Sequence, residues 1–413
     1  MFHYMPYRDI PDDFYQKYDS CWVDVPWSKL GDAQKVHQDY NWSLDELLHA
    51  AKLGIDGVCC NEHHQNIYGM MSNPNLTGAI LAKMTQELDV AIVQIGSTLT
   101  SAPPIRLAEE YAMLDCISGG RLVAGMPLGA GQDVPLSYGI PPIDMRRRYR
   151  EAHDLITKAW QAKEPFAFNG QFFQYPIVNP WPRPVQQPTP PIWIPGTASM
   201  STWDMAIDND YCYCYFTYYG LFRAEPAVDA FWDRVVKRGK EPNPFRLGMN
   251  LPVFVADTDA EAERLYGRHI ENFFRNYQHF PGHYSALPGY QDYHSMMKTL
   301  TGGVAGMSAR NEINLKTMTY RDFVEKDFVF AGSAETVRQK LVSVIKRFRT
   351  GNLMTLLHMA TMPHDVTLYN IETFCKKVLP GLRGIWEDEW ENRWWPERLR
   401  GSKTVANQGY TGT

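Results

Sequence analysis

The chain contains no run of eighteen or so apolar residues, so no segment reads as a membrane-spanning helix. Its first residues, Met1 to Pro6, lack the apolar stretch behind a positive start that marks a secretory leader, and a cytoplasmic location is the expectation. Basic residues do not gather into a stripe interleaved with aromatics. The formal net charge is -5, and the nearest approach to such a stripe, Arg146, Arg147, Arg148 and Arg150, is too short to track a phosphate backbone, so no nucleic-acid partner is expected. Cysteine is scarce and poorly placed for cross-linking. The count is 7, an odd number, with Cys59 and Cys60 adjacent and Cys212 and Cys214 one residue apart, which suits neither a disulfide framework nor a zinc site and reads as reduced, buried thiols. No internal repeat is present, and neither a His-x-His pair nor a His-Glu-x-x-His helix occurs, so no metal is expected.

What remains is a globular composition, 44% hydrophobic and 21% charged, in 413 residues, enough for one large barrel or two ordinary domains. Order along the chain decides between them. Phe2 to Met5 reads as a strand, followed by a long loop through about Asn41. Ser43 and Glu46 form a capping-box pattern ahead of Leu44, Leu47, Leu48 and Ala51, which places a helix start there. Ile55 to Cys60 is a compact apolar run, a buried strand. The alternation continues with helix 75–85, strand 89–96, helix 105–117, strand 121–126 and helix 147–160. Asn169-Gly170 between aromatic strand formers marks a hairpin, and the proline-rich run from Pro180 to Pro191 leads back to a strand at Ile192. Helix 200–208, strand 211–216, helix 227–238, strand 247–256, a helix capped at Thr258, helix 335–349, strand 353–359 and a last helix near 368–378 complete the series. About eight strands in one parallel alternation predict an α/β fold, a (β/α)8 TIM barrel over residues 1–380 with insertions at about 165–190 and 278–328. Residues 381–413 form a C-terminal extension whose Trp386, Trp390, Trp394 and Trp395 are expected to pack on the body or a partner, with its last dozen residues unstructured.

In a parallel barrel, chemistry gathers just after each strand. Asn61-Glu62-His63-His64 follows the second strand, Ser97, Thr98 and Thr100 the third, Met126 to Gln132 with Gly129 the fourth, and Gly196, Thr197, Ser199 and Ser201 the fifth. Two histidines beside a carboxylate fit a metal site, a general acid/base or a hydrogen-bonded polar cluster; imidazole titrating near neutral pH suits the second. The Gly196 to Ser201 junction of strand and helix offers free N–H groups and hydroxyls to a phosphate, and equally fits an ordinary helix cap. The glycines at 125–131 are mis-spaced for a dinucleotide fingerprint.

Several segments together resemble the bacterial luciferase family: Glu62-His63-His64; Ala108 to Asp115 with Ile117-Ser-Gly-Gly-Arg-Leu122; Arg148-Tyr149-Arg150-Glu151-Ala152; Pro188 to Gly196; and Ala331-Gly332-Ser333-Ala334-Glu335-Thr336-Val337. The resemblance spans about residues 42–375 and implies a dimeric barrel that binds reduced FMN delivered by a separate reductase, or in some members the deazaflavin F420. It implies that His63 is the catalytic acid/base, that Glu62 and His64 shape the flavin pocket, and that Ser97, Thr98 and Met126 to Gly129 lie along the flavin ring. It further implies that Gly196, Thr197, Ser199 and Ser201, with Tyr149 nearby, bind the phosphate. The sequence departs from the family pattern at Pro127, in lacking the reactive luciferase cysteine, and in the length of the loop from Pro6 to Tyr40. The expected function is oxygenation of a small organic substrate by reduced FMN and O2. F420-dependent hydride transfer, a metal-dependent barrel hydrolase and a non-enzymatic flavin-binding subunit stand as alternatives. The chemistry needs a dry pocket, to which Phe2, Tyr4, Tyr215, Phe216, Tyr218 and Tyr219 are candidate walls, with residues 278–327 as a lid.

Overall fold

Short strands that are apolar on both faces have no side to offer to water, and a closed parallel barrel wrapped in helices hides both. A computed structural model describes residues 1–131, 133–281, 284, 287, 289–290 and 313–401. Its strands are β1 (Phe2–His3), β2 (Gly57–Cys60), β3 (Ala91–Gln94), β4 (Leu122–Gly125), β5 (Phe166–Asn169), β6 (Gln174–Val178), β7 (Ile192–Gly196), β8 (Cys212–Phe216), β9 (Leu247–Ala256), β10 (Phe330–Ser333) and β11 (Asn352–Leu356). The ring runs β9-β11-β1-β2-β3-β4-β7-β8 and closes through a β8–β9 pairing, every pair parallel. This is the expected eight-stranded barrel.

Alternation along each strand divides the core in two. Phe2, Cys59, Ala91, Val93, Val123, Trp193, Cys212, Cys214, Met354 and Leu356 fill the barrel, while Val58, Cys60, Ile92, Leu122, Ile194, Tyr213 and Leu251 join the helices outside. Adjacent Cys59 and Cys60 therefore serve opposite faces. Six of the cysteines are buried; Cys116 corrects the sequence reading by being exposed, its Sγ on the carbonyl of Arg183 at 3.3 Å.

Other differences have identifiable causes. The helix expected to start at Ser43 spans Ala33–Lys52, and Asp32 caps it by accepting from the N–H of Gln34 (2.8 Å) and Lys35 (3.4 Å). Glu46 is not a capping residue because Arg8 recruits its carboxylate into the interior. The preceding loop contains two further short helices, Phe14–Lys17 and Trp27–Leu30. The helix expected from Ala227 begins at Leu221 and runs through Pro226. The hairpin β5–β6 turns over four residues, Gly170 to Phe173, rather than two. Beneath that turn, half-buried Glu151 accepts from the N–H groups of Gln171 (2.8 Å), Phe172 (2.9 Å) and Phe173 (2.7 Å). β10 pairs with the outer half of β9 and lies outside the ring. It went unread because its last residue, Ser333, caps the helix Ala334–Phe348 and the cap signal masks the strand.

The extension seals the end of the barrel where strands begin. Trp193 donates to the Trp394 carbonyl at 2.8 Å, its ring 5.8 Å from Trp395, and a cavity of about 570 Å³ remains between this tail and the strand starts. Gln132, most of the 278–328 insertion and the last dozen residues lie outside the described residues. Among the described residues no helix is long and apolar enough to cross a membrane.

Candidate active site

At the end where the strands finish, the loop after β2 brings in His63, whose Nδ1 lies 2.8 Å from Asp133 Oδ2. Asp133 is fully buried, and its two oxygens already accept backbone N–H groups, Oδ1 from Val134 (2.6 Å) and Oδ2 from His64 (3.4 Å). An acceptor so placed makes Nδ1 the proton-bearing nitrogen of a neutral imidazole and leaves Nε2 with its lone pair. The ring sits edge-on to Trp22 (5.2 Å) and Tyr68 (5.0 Å), themselves stacked at 4.7 Å. Tyr4, Phe273 and Tyr218 extend this aromatic wall. Burial pushes the Tyr68 and Tyr218 hydroxyls upward, so they stay protonated. Two of the candidate wall residues fall elsewhere: Tyr215 joins the outer layer and Tyr219 is exposed.

His64 faces away from this dyad. Its Nε2 is 2.8 Å from Glu62 Oε1 and its Nδ1 3.2 Å from the Tyr138 hydroxyl. Glu62 also accepts from the N–H of Thr98 at 3.2 Å and from the Thr98 hydroxyl, which in turn meets Ser101 Oγ. Ser97 accepts from Asn75 Nδ2 at 2.8 Å, and its N–H donates to the Tyr111 hydroxyl at 3.0 Å. The third-strand loop is thus held by both histidine-loop and helix residues.

A second polar centre lies where β7 meets the helix Met200–Asp208. No side chain caps that helix. Ser199 and Ser201 hydroxyls are 3.1 Å apart, and Arg146 Nη1 donates to Ser201 Oγ at 2.8 Å. Thr197 is exposed and its carbonyl accepts from Tyr213. A guanidinium beside the positive end of a helix dipole is unfavourable alone and favourable around an anion, so these residues fit a phosphate group. Tyr149 is buried, lines the same small pocket as Arg146, Ser201 and Thr202, and donates to the Met126 carbonyl at 2.8 Å. The two centres share one rim: Arg146 Nε donates to the Tyr290 carbonyl (3.0 Å), and the Tyr290 hydroxyl donates to the carbonyl of Gly129 (2.9 Å), in the loop that leads to Asp133.

Sequence reasoning missed Asp133, Arg146, Trp22 and Tyr68. The run Arg146-Arg147-Arg148 was visible as charge; only the fold turns its first member toward Ser201. Among the described residues no group of three or more His, Cys, Asp or Glu is arranged to hold a metal ion.

Residues 27–350 match the model of the luciferase-like monooxygenase family. Over 191 residues the chain is 34% identical to the oxygenase component of a flavin-dependent trigonelline monooxygenase from Acinetobacter baylyi, covering 45% of this chain and 51% of that protein. The chain spans about half, or somewhat less, of the length of the curated relatives it matches. In fold it is similar to the oxygenating constituent of 3,6-diketocamphane monooxygenase from Pseudomonas putida, solved with FMN, at a TM-score of 0.63 and 21% identity over 88% of this chain and 98% of that one. It is also similar to an F420-dependent secondary alcohol dehydrogenase, at a TM-score of 0.60 and 15% identity over 83% and 94%.

Proposed function

Because this chain belongs to the luciferase-like monooxygenase family, we propose that it is the oxygenating component of a flavin-dependent monooxygenase that uses reduced FMN, supplied by a separate reductase, and O2 on a small organic substrate. When bound, reduced flavin supplies the two electrons that let one oxygen atom enter the substrate and the other leave as water, with one proton taken up. Arg146, Ser199, Ser201 and the open helix end at Met200 hold the phosphate. Gly196, Thr197 and Gly129 shape the backbone around it, and Ser97, Thr98 and Met126 line the ring. His63, its tautomer set by Asp133, is the acid/base that moves a proton at Nε2 on the substrate side. Trp22, Tyr68, Tyr4 and Phe273 keep water from the reacting atoms.

The observation that carries this reading is the shared rim, where an anion-seeking centre and an oriented imidazole are joined through Tyr290 and the loop after β4. The reading extends to a homodimer. Leu76, Ile80 and Met84 form an exposed ridge at four-residue spacing on one helix, and Met113 and Ile117 another on the helix Pro104–Ser118 packed beside it.

Anaerobic titration with reduced FMN and reduced F420 tests the cofactor. Binding of FMN is expected, and His63→Ala is expected to bind it equally while oxidising substrate at least about a hundredfold more slowly. Failure to bind any reduced flavin defeats the proposal, and selective binding of F420 replaces it with hydride transfer.

A further inference from the structure

On its Asp133 side, His63 is a dead end for protons. Its Nδ1 meets Asp133, which is fully buried and otherwise touches only the backbone N–H groups of Val134 and His64, and neither can pass a proton on. A reaction that takes up one proton per turnover needs a path from water, and none runs through Asp133, although the His63 side chain is itself 13% exposed.

The neighbouring histidine has one. Tyr138 is 49% exposed, its hydroxyl 3.2 Å from His64 Nδ1 and its ring edge-on to the imidazole at 4.8 Å. His64 Nε2 is 2.8 Å from Glu62 Oε1, and the same oxygen accepts from the Thr98 hydroxyl. Every member of this chain from His64 inward is buried or nearly so: the side chains of His64 and Glu62 are 8% and 9% exposed and Thr98 is 2% exposed. A buried line of hydroxyl, imidazole and carboxylate groups in unbroken contact, open to solvent at Tyr138, is the arrangement a proton wire requires.

We infer that Tyr138, His64, Glu62 and Thr98 form a proton relay from solvent to the cofactor pocket. The inference rests on the flavin reading, which puts Thr98 beside the ring. Each hydrogen moves one place inward: the Tyr138 O–H bond breaks as His64 Nδ1–H forms, His64 Nε2–H passes to Glu62, and Glu62 passes its proton to Thr98 Oγ1. The hydroxyl of Thr98 turns to release its own hydrogen into the pocket, and water reprotonates Tyr138. The relay changes no oxidation state; it delivers the single proton that balances reduced flavin anion, O2 and substrate against oxidised flavin, oxygenated product and water.

The test needs no knowledge of the substrate, because reduced flavin anion and O2 also take up one proton to give oxidised flavin and hydrogen peroxide. In the cofactor-free protein, 15N NMR of labelled histidine is expected to show neutral His64 protonated at Nε2, with its Nδ1 resonance moved by Tyr138→Phe. That substitution keeps the packed ring and removes only the hydroxyl. With reduced FMN bound, rapid mixing with oxygen is expected to give oxidised flavin about tenfold more slowly in Tyr138→Phe, with FMN affinity unchanged, and on the order of a hundredfold more slowly in Glu62→Gln at saturating FMN, each with an altered solvent isotope effect. Wild-type rates and isotope effects in both variants, in a protein that binds reduced FMN, overturn the relay alone. A wild-type protein that binds no reduced flavin overturns the flavin reading and the relay with it.

Discussion

In the proposed function, the second polar centre depends on a single guanidinium. Arg146 lies against Ser201 at the start of a helix that no side chain caps and whose dipole is positive there, an arrangement that favours an anion. Hydrogen bonds to charged groups contribute about 1.5–3 kcal/mol. Arg146→Ala is therefore expected to weaken reduced FMN binding by about 10- to 100-fold while leaving riboflavin, which lacks the phosphate, unaffected in parallel titrations. Equal losses for both ligands would mean that Arg146 supports the fold rather than the phosphate. Asp133 teaches the complementary lesson. Nothing in its local sequence separates it from any helix-capping aspartate, which it also is; its bond to His63 spans 70 residues and exists only because the loops after β2 and β4 converge.

At the scale of elements, a buried carboxylate ties the helix Ala33–Lys52 to the barrel. Glu46 is 0% exposed and receives Arg8 through two bonds of 3.0 Å, His3 at 2.8 Å and His364 at 2.9 Å. Burial alone would raise its pKa, but Arg8 and the two imidazole contacts outweigh burial and hold it well below the usual carboxylate range. The network ties β1, this helix and the loop after β11 into one unit just behind the aromatic wall. Removing one partner of a buried pair leaves the other charge uncompensated, at about 3–5 kcal/mol. Glu46→Ala is expected to lose that much stability in urea unfolding at pH 7, and a loss under about 1 kcal/mol would show that Asp39, 3.7 Å from Arg8, takes over the pairing. The Ser43-x-x-Glu46 pattern pointed to a cap because local sequence cannot register an arginine thirty-eight residues away.

For the whole molecule, the two exposed apolar ridges make self-association the expected state, and a charge placed among them opposes it. Sedimentation should report twice the chain mass for the wild-type protein and a monomer for Ile80→Glu, whose fold is undisturbed because Ile80 is exposed. A wild-type monomer would sink the dimer. The barrel itself was legible without coordinates, since helical and strand periodicities are local and a parallel αβ alternation leaves few ways to bury strands that are apolar on both faces. The loops that converge at the rim were legible for the same reason: strand ends fix them, and Glu62, His63, His64, Thr98 and Ser201 were each placed on those loops by counting strands. Tertiary structure alone decided the partners, because His63 with Asp133, Ser201 with Arg146 and His64 with Tyr138 are contacts between loops that leave different strands. Periodicity specifies which face of an element is buried, while the reach and orientation of polar side chains across a barrel rim depend on the curvature and closure of the entire ring.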